Sequence, residues 1–480
     1  MNNLRGSLIL VNVTGNMILT LIRGGCFMKK FKLSMLLCVL LIMFVGLIAC
    51  SSDGAPATTD ETDPDETEVD NEEDGNSEEE GNEDEAVEQN EAVDLDGRVI
   101  RIANHWDMTP PGGTELRDMI VDRHAEVEEK YNIKIEYVEV TYDEKVSTLT
   151  NSILANDPFA DLVSLSSAQA ASLVKEDYLI PVNDFADLND IAVPEIPQEL
   201  GTIDDQFYMI GSTVNISGGL FYNKTMFEQA GLPDPQELQE SGEWTWDAML
   251  EAAQELTSGE QYGMSADHNA LPLFLIASND EDILDIPNLE VQIDSQKSME
   301  ALEFMAALYN EHRVIKPNEG DNYEDPKRYF AEGLTGMVIG YSWEMEGRAD
   351  LPFDWGYVYF PKGPQADDYT VPVNSYEGLT IPIGVEDPEI VYQIWEDLQV
   401  WEILEDERNE WFELISPNLE TYNTLIDMQD NVRPNYWPAY GLEDAFYEMN
   451  ENIAEGIESP SQAVAKVKGE AQSLVEEFMK

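Results

Sequence analysis

Two α/β lobes are what this sequence predicts, on three observations. Strand-like and helix-like segments alternate from residue 98, the pattern of an open sheet with parallel strands and covering helices. The 385 residues from 96 to 480 are too many for one hydrophobic core. Where a Gly-rich phosphate loop would follow the first strand stands Asn104-His105-Trp106-Asp107, which removes the nucleotide-binding version of such a fold.

The segments follow in chain order. Residues 1–27 fit no signal and read either as a mis-called upstream extension or as a real one. Translation is expected to begin at Met28, because Arg23-Gly24-Gly25 can be encoded by a purine-rich ribosome-binding stretch. Lys29, Lys30 and Lys32, the apolar run Met35–Ile48 and the small Ala49 make residues 28–49 a secretory signal peptide. The run is short of the ~20 residues that a spanning helix needs. Leu47–Cys50 resembles the lipobox of bacterial lipoproteins. That resemblance implies cleavage before Cys50, lipid on its sulfur and a place on the outer face of the cytoplasmic membrane; the alternative is an uncleaved anchor. Residues 50–95 are expected to be a disordered acidic stalk, because too few large apolar residues are present to offset chain entropy.

The formal net charge is −71. Residues 51–95 hold 20 acidic residues and no basic one, which leaves 77 acidic and 21 basic residues in 96–480, a net of −56. Nucleic-acid binding is excluded, since phosphate contacts need clustered Lys and Arg. The acidity reads as adaptation to salty or alkaline surroundings, or simply as an acidic surface. Cys26, Cys38 and Cys50 all lie at or before the cleavage point, so the mature domain has no disulfide and no thiol nucleophile. The four histidines, His105, His124, His268 and His312, are too scattered for a metal cluster, and no cofactor motif is present.

The first lobe opens with a strand at Arg98–Ala103, a helix from Thr114 to about Tyr131, a strand at Lys134–Val140, a helix over Tyr142–Ala155 and a strand at Asp161–Leu165. Leu116, Met119, Ile120 and Val127 recur at helical spacing. Further on, Gly219–Thr257 reads as strand, short helix, turn and long helix. Phe221 lies in the strand, and Met226, Phe227 and Ala230 give the short helix an apolar side. Gly231 is suited to the left-handed end. Thr245 is an N-cap, followed by a buried stripe of Trp246, Met249, Leu250, Ala253 and Leu256. Trp395 and Trp401 fall on one helix-like stretch, Glu389–Glu407, and Trp411 is expected to pack.

Tyr222, Asn223, Lys224, Phe227, Ala230, Gly231, Leu232, Pro235, Thr245, Trp246, Ala252, Ala253 and Leu256 together resemble the extracellular solute-binding proteins of ABC importers, the family that binds sugars and oligosaccharides. The segment departs from the family pattern by a longer insert between Pro235 and Thr245. Tyr329–Trp343 and Pro460–Val467 resemble two further family elements, in the right order. The resemblance implies a type II periplasmic-binding-protein-like fold, maltose-binding-protein-like. Lobe 1 would comprise 96–215 and 376–430, and lobe 2 216–375 and 431–480. Chain crossings are expected near Thr213–Gly218, Val373–Gly378 and Asp427–Asn435. It implies a monomer that takes a sugar or oligosaccharide between its lobes and delivers it to membrane permeases.

Sugar sites set aromatic faces against the apolar side of a pyranose and bond its hydroxyls through Asp, Glu, Asn and Ser. Trp343 holds the family's stacking position at a strand end; its plain alternative is a core Trp. Trp106 follows the first strand, at the carboxyl edge where open α/β sheets bind ligands. Ser166 and Ser167 follow the third strand, as hydroxyl donors or as a helix cap. Tyr376 and Glu377 lie by the second crossing, in the cleft or in hinge packing. Trp437 lies in the Pro-bounded aromatic loop Asn435–Tyr440 and is expected to line the cleft, with packing as the alternative, whereas Trp246 is assigned to the core. No residue is assigned a catalytic role: the sequence holds no G-x-S-x-G, H-E-x-x-H or Walker motif. A surface sensor or adhesive protein without a transporter is the alternative, and a two-carboxylate glycosidase a more distant one.

Overall fold

A computed structural model describes residues 93–478, except 190, 214–217 and 374–375. The extension, signal peptide, Cys50 and nearly all of the stalk lie outside the described residues, as does most of the first expected crossing.

The main elements, in chain order, begin with β1 (Arg98–Asn104), α1 (Glu115–Tyr131), β2 (Ile133–Glu139), α2 (Lys145–Leu154), β3 (Leu162–Ser166), α3 (Ser167–Val174) and β4 (Leu179–Ile180). The middle of the chain gives β5 (Gly218–Asn223), α4 (Lys224–Ala230), α5 (Trp246–Leu256), β6 (Tyr262–Ser265), α6 (Ala270–Ser278), α7 (Gln296–Ala306), α8 (Glu324–Ala331), β7 (Thr335–Tyr341) and β8 (Trp355–Val358). Then come β9 (Val371–Pro372), β10 (Glu377–Pro382), α9 (Pro388–Leu398), α10 (Leu404–Ile415), α11 (Leu419–Met428), β11 (Val432–Arg433), α12 (Glu443–Ala454) and α13 (Pro460–Phe478).

Two sheets organise them. The first runs β2-β1-β3-β10-β4, with β1 parallel to β2 and β3, and β10 antiparallel to both β3 and β4. The second runs β8-β5-β7-β6, with β5 antiparallel to β7 and β8. Both sheets have buried central strands: β3, β5 and β7 are buried at every residue, as expected of strands covered on two faces.

Local chemistry explains the helix ends. Thr114 Oγ1 accepts from Arg117 N at 3.3 Å to start α1, and Asn132 takes the left-handed conformation (φ 49°) that ends it. Gly231 does the same after α4, at φ 70°. Thr245 caps α5 as expected, accepting from Ala248 N at 3.4 Å. The buried stripe of α5 differs from expectation at one position. Ala252 is buried and Leu250 only partly so, because the apolar face centres on Trp246, which stacks on Phe304 at 4.8 Å.

Two further expectations are corrected. The helix expected from Tyr142 begins as a 3-10 turn, Tyr142–Glu144, before α2. The stretch 389–407 is not one helix. Gln399 turns extended (φ −75°, ψ 137°), and Arg123 takes the carbonyl of Gln399 at 2.9 Å. Trp401 then lies in a separate 3-10 turn with its edge against Trp395, at 6.0 Å.

Three residues of α11, a helix expected with the first lobe, bond residues that follow strands or helices of the second. Glu420 pairs with Lys224 at 2.9 Å, Thr424 accepts from Gln239 at 3.3 Å, and Asp427 accepts from Tyr359 at 2.9 Å. Glu410 in α10 also reaches the α1 cap, accepting from Thr114 Oγ1 at 2.8 Å.

Candidate functional site

The first sheet brings three chain ends to one edge. Glu377, opening β10, pairs in register with Ser166, closing β3, and Asn104 ends β1 beside them. The antiparallel entry of β10 is what sets the start of one strand next to the ends of the others. Ser166 is the N-cap of α3: its Oγ accepts from Gln169 N at 3.3 Å, and Gln169 Oε1 accepts from Ser166 N at 3.1 Å. The Tyr142 hydroxyl donates to Ser166 Oγ at 3.2 Å. Ser167 N donates to Tyr376 O at 3.1 Å, and the buried Tyr376 hydroxyl donates to Met209 O at 3.3 Å. These contacts engage Ser167 and Tyr376 with the protein itself; of the two serines for which a helix cap was the alternative, Ser166 is the cap.

Beneath this edge lies a cation. The Lys145 side chain is 0 % exposed, with Nζ 3.4 Å from Glu377 Oε2 and 3.2 Å from His105 Nδ1. Ser164 Oγ donates to the same Glu377 oxygen at 3.2 Å. Burial lowers the pKa of Lys145, and the Glu377 carboxylate opposes that. Burial also lowers the pKa of His105; Glu377 opposes it and Lys145 adds to it. Above the cluster, Trp106 is 48 % exposed and meets His105 edge-on at 4.4 Å. Tyr142, also exposed, meets the other side of His105 at 5.4 Å.

In the second lobe, β7 ends in the 3-10 turn Ser342–Glu344. Trp343 is 43 % exposed and stacks on Tyr341 at 4.3 Å with a 3° interplanar angle. A buried ion pair supports the turn: Glu344 Oε2 lies 2.7 Å from Arg348 Nη2, and the Arg348 guanidinium sits 4.0 Å over the Phe221 ring. Gly340 makes room for it, since a Cβ there would run into Glu344 Oε2 and the Phe221 ring. Burial lowers the pKa of Arg348 and Glu344 opposes it. Lys327 lies 3.4 Å from Glu344 Oε1 and 3.1 Å from the centre of the exposed Tyr323 ring.

Further polar groups stand in the second lobe. Asn322 hydrogen-bonds Asp267, and its Oδ1 accepts from His268 N at 3.0 Å. Burial raises the pKa of Asp267. On α12, burial raises the phenol of the exposed Tyr447, with added repulsion from Glu443, Asp267 and Tyr142. Tyr142 feels Glu443 in turn, after the larger effect of its own burial.

Five rings are exposed: Trp106 and Tyr142 in the first lobe, Tyr323, Trp343 and Tyr447 in the second, with Glu377 near the first pair, Asn322 and Glu443 near the others in the chain, and Asp267 bonded to Asn322. Such side chains offer apolar faces and hydroxyl acceptors. The cations beside them are already engaged: Lys145 with Glu377, Lys327 and Arg348 with Glu344. Among the described residues no group of His, Cys, Asp and Glu could hold a metal ion.

Trp437 is corrected. It is 5 % exposed and packs edge-on against Phe446 at 5.4 Å within the second lobe's core, so it presents no open face. Its indole N–H is buried and finds no acceptor among the described residues. Sequence reasoning missed Tyr142, Lys145, Asp267, Tyr323, Glu443 and Tyr447. One signal was available. Lys145 lies one helical turn before the buried Leu149, on the inward face of its helix.

Residues 111–395 match the family described as bacterial extracellular solute-binding proteins. An arabinooligosaccharide-binding protein of Halalkalibacterium halodurans is 21% identical over 342 residues, covering 63% of this chain and 72% of that protein. An ABC substrate-binding protein from Listeria monocytogenes, solved with cycloalternan, superposes with a TM-score of 0.60 at 16% identity, over 80% of this chain and 99% of that one. The GacH receptor of Streptomyces glaucescens, solved unliganded and with acarbose, gives 0.60 at 16%, over 79% and 99%. These likenesses show the fold: type II, maltose-binding-protein-like.

Proposed function

Because the chain belongs to the bacterial extracellular solute-binding protein family, we propose that it captures a neutral oligosaccharide between its lobes and hands it to the permease subunits of an ABC importer. It does so from the outer face of the membrane, held by lipid on Cys50. Lobe 1 comprises the first sheet and its helices, lobe 2 the second sheet with α11 to α13, and the two close on the ligand by a hinge motion.

The observation that carries this reading is the exposure of five rings, Trp106 and Tyr142 in one lobe and Tyr323, Trp343 and Tyr447 in the other. A single pyranose has two faces and can stack on two rings at most. Five rings with carboxylate and amide acceptors fit a ligand of several sugar units. An anionic ligand is disfavoured, because the cations beside these rings are paired and −56 of charge surrounds them. The similar proteins solved with cycloalternan, acarbose and maltotetraose, and the arabinooligosaccharide-binding relative, are consistent with it.

Titration calorimetry with arabino- and malto-oligosaccharides of one to five units tests the proposal. Affinity should rise with length and level off beyond two units. Tightest binding of a monosaccharide, or of glycerophosphocholine, would overturn it.

A further inference from the structure

Lys145 is the least expected group in the first lobe. Its side chain is wholly buried, it comes from a helix and not from a strand end, and it reaches nothing in the open cleft. A buried ammonium is costly unless paired, so its partners define what it does. They are the carboxylate of Glu377, the imidazole of His105 and the ring of Tyr142, 5.0 Å below it.

An ammonium has three donors and no acceptor. The 3.2 Å contact from Lys145 Nζ therefore requires a lone pair on His105 Nδ1, which puts the proton of the neutral ring on Nε2. No described protein group bonds His105 Nε2. In the same way, Lys145 and Ser164 both occupy Oε2 of Glu377 and leave Oε1 as the oxygen without a described protein donor. One donor, Nε2, and one acceptor, Oε1, remain, on side chains whose engaged atoms, Nδ1 and Oε2, are 3.6 Å apart, next to the exposed ring of Trp106.

We infer that Lys145 is a positioning residue for the ligand: its ammonium fixes His105 as a donor and Glu377 as an acceptor, side by side, for adjacent hydroxyls of a sugar ring resting on Trp106. The identity of the ligand rests on the saccharide reading above; the preset tautomer does not. The charged and titratable groups facing His105 are Lys145, Glu377 and Tyr142. Protonating the ring would put Nδ1–H against the ammonium, so the pair is broken by acid. This agrees with the lowered pKa of His105, caused by burial first and then by Lys145.

The test uses the full chain labelled with nitrogen-15 at histidine, the His105 signals being assigned by their loss in His105→Gln. Wild type should show a bare Nδ1 and a protonated Nε2 at neutral pH, and should titrate below about 6.5. In Lys145→Met the midpoint should rise, because the repelling cation is gone while Glu377 remains. The acid limb of arabinotriose affinity should move up with it. A role in packing alone would weaken binding equally at every pH. An Nδ1–H tautomer in wild type overturns the inference, and this needs no variant to fold. So does an unmoved midpoint in Lys145→Met. If the tautomer and midpoint behave as expected while neither arabinotriose nor maltotetraose binds, the positioning stands and the saccharide reading falls.

Discussion

Trp343 and Trp437 separate a ring that serves a ligand from a ring that serves the core. Trp343 has an open face on a stacked Tyr341, so Trp343→Ala should weaken oligosaccharide binding by about 1–3 kcal/mol while the melting temperature barely moves. Trp437→Ala removes a buried ring and should cost about 3–5 kcal/mol of stability. Calorimetry beside thermal melting on both variants checks this; a collapse of stability in Trp343→Ala would make that ring a core residue. The difference between the two was only half legible in the sequence. Trp106 and Trp343 follow strand ends, and a strand end points to an edge of its sheet. Trp437 stands in a loop, where no periodicity says which way a side chain faces. Lys145 was hidden because a lysine reads as surface until its partners, 40 and 232 residues away, are brought to it.

At the scale of an element, the turn after β7 shows how a polar core fixes a site. Glu344 and Arg348 are both nearly buried, and each neutralises the other. Arg348→Met alone should destabilise the protein by up to about 3–5 kcal/mol, because it leaves the buried Glu344 carboxylate with Lys327 as its one remaining cation, whereas adding Glu344→Gln to it should restore part of the loss. Denaturant unfolding of the single and double variants gives the answer; a milder single than double variant would contradict the pairing. The elements themselves were largely legible. Thr245, Gly231 and the strand–helix alternation of residues 98–166 follow local rules of capping and spacing. The break at Gln399 was not legible, since it depends on Arg123, more than 270 residues away.

Across the whole molecule, charge and burial set the response to the medium. His124 and His268 have pKa values lowered by burial. His124 also holds two partners, Ile120 O at 2.8 Å and the Tyr137 hydroxyl at 2.7 Å. The sign follows from linkage. Between their folded values and about 6.5 the unfolded chain binds more protons, so stability should rise with pH through that window and level off above it. Melting temperatures from about pH 5 to about pH 8 test this, and a maximum at the acid end would refute it. Added salt should raise the melting temperature, because it screens a net charge of −56 on residues 96–480. The length and alternation of the chain indicated two lobes. The strand order within them was not indicated, because pairing across hundreds of residues leaves no periodic trace.

That order bears on how the protein is made. Strand β10 lies between β3 and β4, and Thr380 Oγ1 donates to Val163 O at 2.9 Å across 217 residues. Until residues 377–382 are synthesised, β3 has a bare edge and the first lobe cannot close. Such distant pairing folds slowly. In a family described as extracellular, this order leaves the first lobe unfinished until the start of the chain's last quarter, so the lobe closest to the N-terminus is completed by residues made near the end.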